Sequence, residues 1–326
     1  MKLEMKITSI WIYFFILPIC VFVAGIKNPL TWPDKLVYET YFHMAKVNSY
    51  SQILKNIQDP FFTILNKFFI SFGFDFELFL FIVAGITLIL KFSAFNKATK
   101  NVFSLFFLYF SFYFFLHDYI QIRIAFALSL LLFAIFCIKN KFVRFLILII
   151  SVFFHLSLFP FVFLYFVYTL KDKIGEKFFF LSFLIFSCLF SFVVKIGSVG
   201  GERSNQYVDS DLYNYFNFFA LLPLIQSFAI VYHFFLVRSK KFNFEYYMSI
   251  LGVFLYYFLY SMPAVATRFY EISAVFFIIF ISNFYKKNNV YFCIYVLFFI
   301  VCLYNLFIKN GSIMHPVAYD FFISIF

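Results

Sequence analysis

The sequence consists of long apolar runs separated by short clusters of Lys and Arg. A membrane-spanning α-helix needs about 20 predominantly apolar residues. Of the 326 residues, 64% are hydrophobic and 13% charged, against about 45–50% and about 25% in a soluble domain. The apolar runs are 7–26, 76–95, 102–120, 121–138, 178–196, 216–237, 246–262, 269–285 and 290–308. These values exclude a water-soluble fold and predict an all-α polytopic membrane protein.

The stretch 143–170 is ambiguous, because it fits one long helix or two short helices turning near His155 and Pro160. With two helices, six basic clusters fall on one side, and with Lys91 they hold 16 of the 26 basic residues. The positive-inside rule makes that side cytoplasmic. The clusters are Lys2/Lys6, Lys97/Lys100, Lys139/Lys141/Arg144, Lys171/Lys173/Lys177, Arg238/Lys240/Lys241 and Lys286/Lys287. The prediction is therefore a hairpin and about 11 spans (10–12), in a single transmembrane domain over residues 1–326.

The outer side carries the features from which sites are usually built. It receives 11 of the 15 carboxylates and the two longest polar segments, 27–77 and 197–215. Long loops of this kind are often functional. Within the first segment, Pro60–Gly73 is too short to span and is predicted to be an interfacial or re-entrant helix. We therefore expect the function to face outward.

Several classes of function are unsupported by the sequence. The net charge of +11 comes from cations that punctuate apolar runs, whereas nucleic-acid binders cluster them on one solvated face. Phosphate-binding glycine loops, zinc-peptidase motifs and nucleophile-elbow motifs are missing. Asp209 and Asp211 have a spacing that is only a weak metal signal. We expect no nucleic-acid partner, no cofactor and no metal.

Two arginines lie where an arginine is expensive. The chain has five Arg against 21 Lys, and Arg123 and Arg268 both lie near predicted outer helix ends. An intramembrane arginine costs about 2.5–3.5 kcal/mol on insertion scales. One interpretation is an anion clamp, since a planar guanidinium binds phosphate oxygens in a bidentate way. The alternatives are snorkelling to the interface or internal ion pairs, with Asp118 for Arg123 and Glu271 for Arg268.

His155 is predicted at the outer turn of the hairpin, on the same side as both arginines. A titratable imidazole there could act as a base or bind phosphate, or it could simply be a hydrogen-bonded core histidine. His117 and Asp118 form a polar pair near Arg123 and could orient it. The acidic side chains of the two outer segments could bind a sugar substrate. Each of them is also explained as an ordinary solvated residue of a loop.

Residues 117–161, HDYIQIRIAFALSLLLFAIFCIKNKFVRFLILIISVFFHLSLFPF, resemble the central region of EpsG-like and Wzy-type polysaccharide polymerases. The shared pattern is an Arg leading an Ala-rich helix, a short basic turn, and a helix ending in Phe-His-Ser. Arg123, the turn from Lys139 to Arg144, and Phe154-His155 with Ser157 match it. Looser matches are Asp34 with Tyr38, Arg203 with Tyr207, and Arg268 before Tyr270.

The resemblance implies a multi-pass glycosyltransferase of the bacterial inner membrane, with a glycosyltransferase-C-like architecture. It would polymerise undecaprenyl-diphosphate-linked repeat units into O-antigen, capsular or exopolysaccharide, among membrane lipids and with possible chain-length regulator and flippase partners. Arg123, Arg268 and Arg203 would bind diphosphate, and Asp34, Asp209 and Asp211 would bind sugar. The base would be His155, Glu271 or Asp118.

Three other functions remain open on the sequence. A flippase or transporter would share the cationic site, but such proteins commonly show internal repeats, and none is visible. A membrane O-acyltransferase that modifies surface glycans would be expected to carry its histidine near the first span. A non-catalytic scaffold would tolerate substitution of Arg123 and His155.

Overall fold

The protein is described by a computed structural model covering residues 12–26, 34–56, 60–198, 216–236 and 242–309. Within these ranges it is helical, with no β-strand, which confirms the predicted all-α class. The chain divides into two compact units, Met1–Leu158 with Cys302–Phe326, and Phe159–Val301. The single transmembrane domain stays a prediction.

The first unit is organised around the long helix α5. This helix packs against α1 and α7, while α7 packs on α8, and α4 lies against α2 and α8. Local sequence fixes the start of α5, since the Asp75 carboxylate accepts from the Leu78 amide at 2.8 Å and caps the helix. The helices are α1 (Leu17–Gly25), α2 (Lys35–Val47), α3 (Tyr50–Asn56), α4 (Pro60–Ser71), α5 (Phe76–Ala98), α6 (Val102–Leu108), α7 (Ile122–Phe136) and α8 (Lys141–Phe154).

Two stretches among the described residues of the first unit are π-helical, Ile12–Ile16 and Tyr109–Ile120. The second, here called the π segment, continues α6 and ends one residue before α7. A π-helix bonds each amide to the carbonyl five residues back and is rare in proteins at this length. The predicted runs 102–120 and 121–138 therefore meet at Gln121, where the chain leaves helical geometry.

The second unit is built around α13 and α14, which pack along each other, while α13 also contacts α9, α11 and α12. The Gln226 side-chain amide donates to the Ser249 carbonyl at 3.0 Å and joins α12 to α13. The helices are α9 (Phe159–Thr169), α10 (Lys171–Ile174), α11 (Glu176–Ser198), α12 (Leu221–Leu236), α13 (Phe244–Phe258), α14 (Pro263–Phe284) and α15 (Asn289–Phe307), the last of which continues into the first unit.

Four helical stretches within the described residues are long and apolar enough to cross a membrane: Phe76–Ala98, Val102–Ile120, Pro263–Phe284 and Asn289–Phe307. Five further apolar helices have 10–17 residues. This agrees with a polytopic membrane protein, whereas the count of 11 spans stays a prediction.

Two local predictions are confirmed. The stretch 143–170 is two helices, since α8 ends at Phe154 and His155 adopts extended backbone (φ −157°, ψ 110°) before α9. The segment predicted to be a short non-spanning helix is α4, of 12 residues. The break is predicted from the basic clusters of the whole chain, which fall on one side only if this stretch is two helices, whereas the short helix needs only a short apolar run.

Gly252 of α13 lies directly against α14. A Cβ added there would overlap the Ser273 side chain, whereas one added at Gly85 of α5 would meet only Val21 Cγ1, at 3.7 Å. We expect Gly252→Ala to lower the free energy of unfolding by about 1–3 kcal/mol through overpacking. Gly85→Ala should leave it unchanged or raise it by up to about 1 kcal/mol. Unfolding in detergent measures both, and equal effects would contradict this packing.

Candidate functional site

Arg123 is the second residue of α7 and is held by two tyrosines of α2. Its Nη1 donates to the Tyr41 hydroxyl at 2.7 Å, and its backbone N–H donates to the Tyr38 hydroxyl at 3.3 Å. The guanidinium carbon lies 4.5 Å from the Tyr41 ring centroid and 6.0 Å from that of Tyr38. These distances are within cation–π range. Arg123, Tyr38 and Tyr41 are called the arginine–tyrosine cluster below.

The short helix α4 packs against the two tyrosines of this cluster. Phe62 packs edge-on against Tyr38 and Tyr41, with ring centroids 5.8 and 6.1 Å apart. The Lys67 ammonium donates to the Ala45 carbonyl at 3.0 Å and ties α4 to the last turns of α2. The helix predicted to lie at the interface therefore sets the position of the two tyrosines.

His155 follows α8 directly, and its N–H donates to the Ser151 carbonyl at 3.1 Å. The neighbouring Phe154 ring lies 4.8 Å from Phe126, which is one helical turn after Arg123 on α7. The His155 ring nitrogens are shielded from solvent. The structure thus brings Arg123 and His155 into one region of the first unit, at adjacent ends of two packed helices.

Asp118 belongs to a buried ring of polar groups. The Lys91 ammonium of α5 donates to Asp118 Oδ1 and to the Tyr109 hydroxyl, each at 2.7 Å, and the Tyr109 hydroxyl donates to Asp118 Oδ2. The Lys91 and Asp118 side chains are 0% and 1% exposed. These three residues are called the lysine–aspartate–tyrosine ring.

The ring changes the interpretation of Lys91. The sequence groups Lys91 with the cytoplasmic basic clusters, whereas the structure places it inside α5, where it neutralises Asp118. A buried charge is tolerated when it is paired. A lone Lys within an apolar run is the signal that could have indicated this, although nothing in the sequence named its partner.

The sequence profile of the EpsG family matches residues 10–321, nearly the whole chain. The chain belongs to the EpsG family. This family is associated with polysaccharide polymerases, so the resemblance found in the sequence is confirmed. No curated protein and no solved structure matches the chain.

The other predicted site residues of this EpsG family protein are placed as follows. Asp34 directly precedes α2, and its carbonyl accepts from the Tyr38 amide at 3.2 Å, beside the cluster. Arg268 and Glu271 lie one turn apart on α14 in the second unit, both half-buried. Arg203, Asp209 and Asp211 lie outside the described residues. Among the described residues, no group of three or more His, Cys, Asp or Glu could hold a metal.

Tyr41 and Phe62 of this EpsG family protein are site residues that sequence reasoning missed. The spacing of Tyr38 and Tyr41 places both rings on one face of α2, which is a signal available in the sequence. Their contact with Arg123 is not, because the hydrogen bond joins residues 82 positions apart.

Lys91→Met would leave the Asp118 carboxylate buried without its counter-charge. We expect the free energy of unfolding to fall by about 3–5 kcal/mol. The matched control is Lys35→Met, which breaks the exposed Lys35–Glu39 pair and should change it by about 0–1 kcal/mol. Similar effects of the two substitutions would contradict the burial of the ring.

Tyr41→Phe would remove the hydroxyl that accepts from Arg123 and leave the ring in place. A lost hydrogen bond to a charged group should lower the free energy of unfolding by about 1–3 kcal/mol. Tyr50→Phe on the neighbouring α3, where the tyrosine is 49% exposed, should change it by less than about 0.5 kcal/mol. Thermal unfolding in lipid nanodiscs distinguishes the two, and an unchanged Tyr41→Phe midpoint would refute the contact.

Proposed function

We propose that this EpsG family protein is a membrane glycosyltransferase that polymerises undecaprenyl-diphosphate-linked repeat units at the outer face of the bacterial inner membrane. The observation that carries the proposal is the arginine–tyrosine cluster, whose Arg123 lies on a helix packed against the helix that precedes His155. Arg123 and His155 both belong to the segment 117–161, which carries the family pattern. The product would be O-antigen, capsular or exopolysaccharide.

In this reaction the anomeric carbon of the donor chain forms a bond to an acceptor hydroxyl oxygen. The bond from that carbon to the diphosphate oxygen breaks, and polyprenyl diphosphate leaves with the electron pair. Negative charge therefore develops on the leaving oxygen, where a preorganised cation is most effective.

Arg123 is suited to this role by charge, shape and position. Its guanidinium can bind two phosphate oxygens at once. It also lies in the first turn of α7, where the helix dipole adds partial positive charge. The cation–π contacts with Tyr38 and Tyr41 hold the side chain in place. The donor and the acceptor each carry a polyprenyl diphosphate, and Arg268 and Arg203 would bind the one that Arg123 does not.

His155 is our first choice for the base that takes the proton of the acceptor hydroxyl. It is in the same unit as Arg123, and the helices next to the two residues pack through the Phe126–Phe154 contact. Asp118 is less suited, because its carboxylate already accepts from Lys91 and Tyr109. Glu271 lies in the second unit and stays an alternative. Asp34, Asp209 and Asp211 would bind sugar, and the Phe side chains exposed on the protein surface would contact the prenyl chains.

The test is the size distribution of the surface and lipid-linked glycan in cells carrying Arg123→Lys. Lysine keeps the charge but loses the bidentate fork, so we expect polymer to be replaced by single repeat units, with activity at least about tenfold lower. Arg144→Lys is the matched control, since the Arg144 guanidinium, in the first turn of α8, donates to the Ile138 carbonyl before that helix, and it should keep the ladder.

Other outcomes would identify other functions. Intact polymer that lacks an acyl group in a strain without the gene would indicate an O-acyltransferase. Lipid-linked units retained on the cytoplasmic side alone would indicate a flippase. A normal ladder in Arg123→Lys would remove Arg123 from the site.

A further inference from the structure

The lysine–aspartate–tyrosine ring depends on the unusual winding of the π segment. Tyr109 and Asp118 are nine residues apart, which in an α-helix is about two and a half turns and places side chains on opposite sides. Here both accept from the same Lys91 ammonium at 2.7 Å. The wider π turn, which bonds five residues back, brings them to one face.

The winding of the π segment sets where α7 begins. The Gln121 N–H donates to the Leu116 carbonyl five residues back, at 3.1 Å, and completes the last π turn. Gln121 then leaves helical geometry (φ −94°, ψ 64°). Its own carbonyl accepts from the Ala125 amide at 2.9 Å and starts α7. Arg123 lies within the turn that this second bond closes, so its position follows from how the π segment ends.

The ring is not explained by membrane insertion. The helix α5 is apolar enough to cross a membrane, and an ion pair in its interior adds a desolvation cost. The π winding, in contrast, needs something to hold it, because isolated helices favour the α form. A ring that closes only in the π form supplies that selectivity.

We propose that Lys91, Tyr109 and Asp118 are positioning residues that hold the π segment in register and thereby place Arg123 against the diphosphate. This inference rests on the proposed function. It assigns Asp118 a role that acts through Arg123, in place of proton transfer.

Tyr109→Phe is the sharpest variant. It removes the bond within the π segment but keeps the Lys91–Asp118 pair, so no charge is left alone. The probe is undecaprenyl diphosphate without sugar, binding to purified protein in nanodiscs, with KM and kcat for polymerisation measured alongside. We expect the affinity to fall at least about tenfold, the scale of one misplaced charge-assisted hydrogen bond, with KM rising to match.

The control is Tyr246→Phe, which removes another buried tyrosine hydroxyl, one that donates to the Ile230 carbonyl at 3.1 Å in the second unit. It should leave the affinity unchanged. An equal loss in Tyr246→Phe would attribute the effect to general destabilisation and overturn the proposal.

A double-mutant cycle separates the inference from the proposed function. If Tyr109 acts through Arg123, Tyr109→Phe should weaken binding by less than about twofold in an Arg123→Lys background. An undiminished effect in that background would overturn the inference, as would full affinity in Tyr109→Phe alone. Full affinity in Arg123→Lys would overturn the proposed function and the inference with it.

Discussion

The backbone has no water to bond with in the hydrocarbon of a bilayer, so each N–H and C=O must find its partner within the protein. In this chain the described residues meet that demand with helices. Once the backbone is satisfied along each helix, polar side chains in the apolar interior must pair with one another. The positions of those pairs then decide how the helices are held.

The lysine–aspartate–tyrosine ring and the arginine–tyrosine cluster show two solutions to this demand. In the ring, a cation and an anion neutralise each other and are fully buried, so neither is available to a substrate. In the cluster, the cation lies against aromatic faces and a hydroxyl, which solvate the charge through a hydrogen bond and the ring quadrupoles.

The two groups are connected through the chain. Asp118 is in the last turn of the π segment, and Arg123 is in the first turn of α7. A rare π winding next to Arg123 is what the fold contributes beyond a simple bundle of spans. The short helix α4 completes the arrangement by fixing Tyr38 and Tyr41 through Phe62.

The sequence by itself determined the helical class, the break at His155, the short helix at Pro60, and the EpsG family. It also singled out Arg123 and His155. Most of these features depend on the length of an apolar run or on the residues of one continuous segment, whereas the break at His155 was chosen from the basic clusters along the whole chain. The tertiary structure alone decided that the Tyr41 hydroxyl accepts a hydrogen bond from Arg123 and that Lys91 neutralises Asp118. The members of these two pairs are 82 and 27 residues apart in the sequence. An apolar run fixes the length of its helix but not which faces meet, since in lipid that choice depends on side-chain packing and polar pairing between helices.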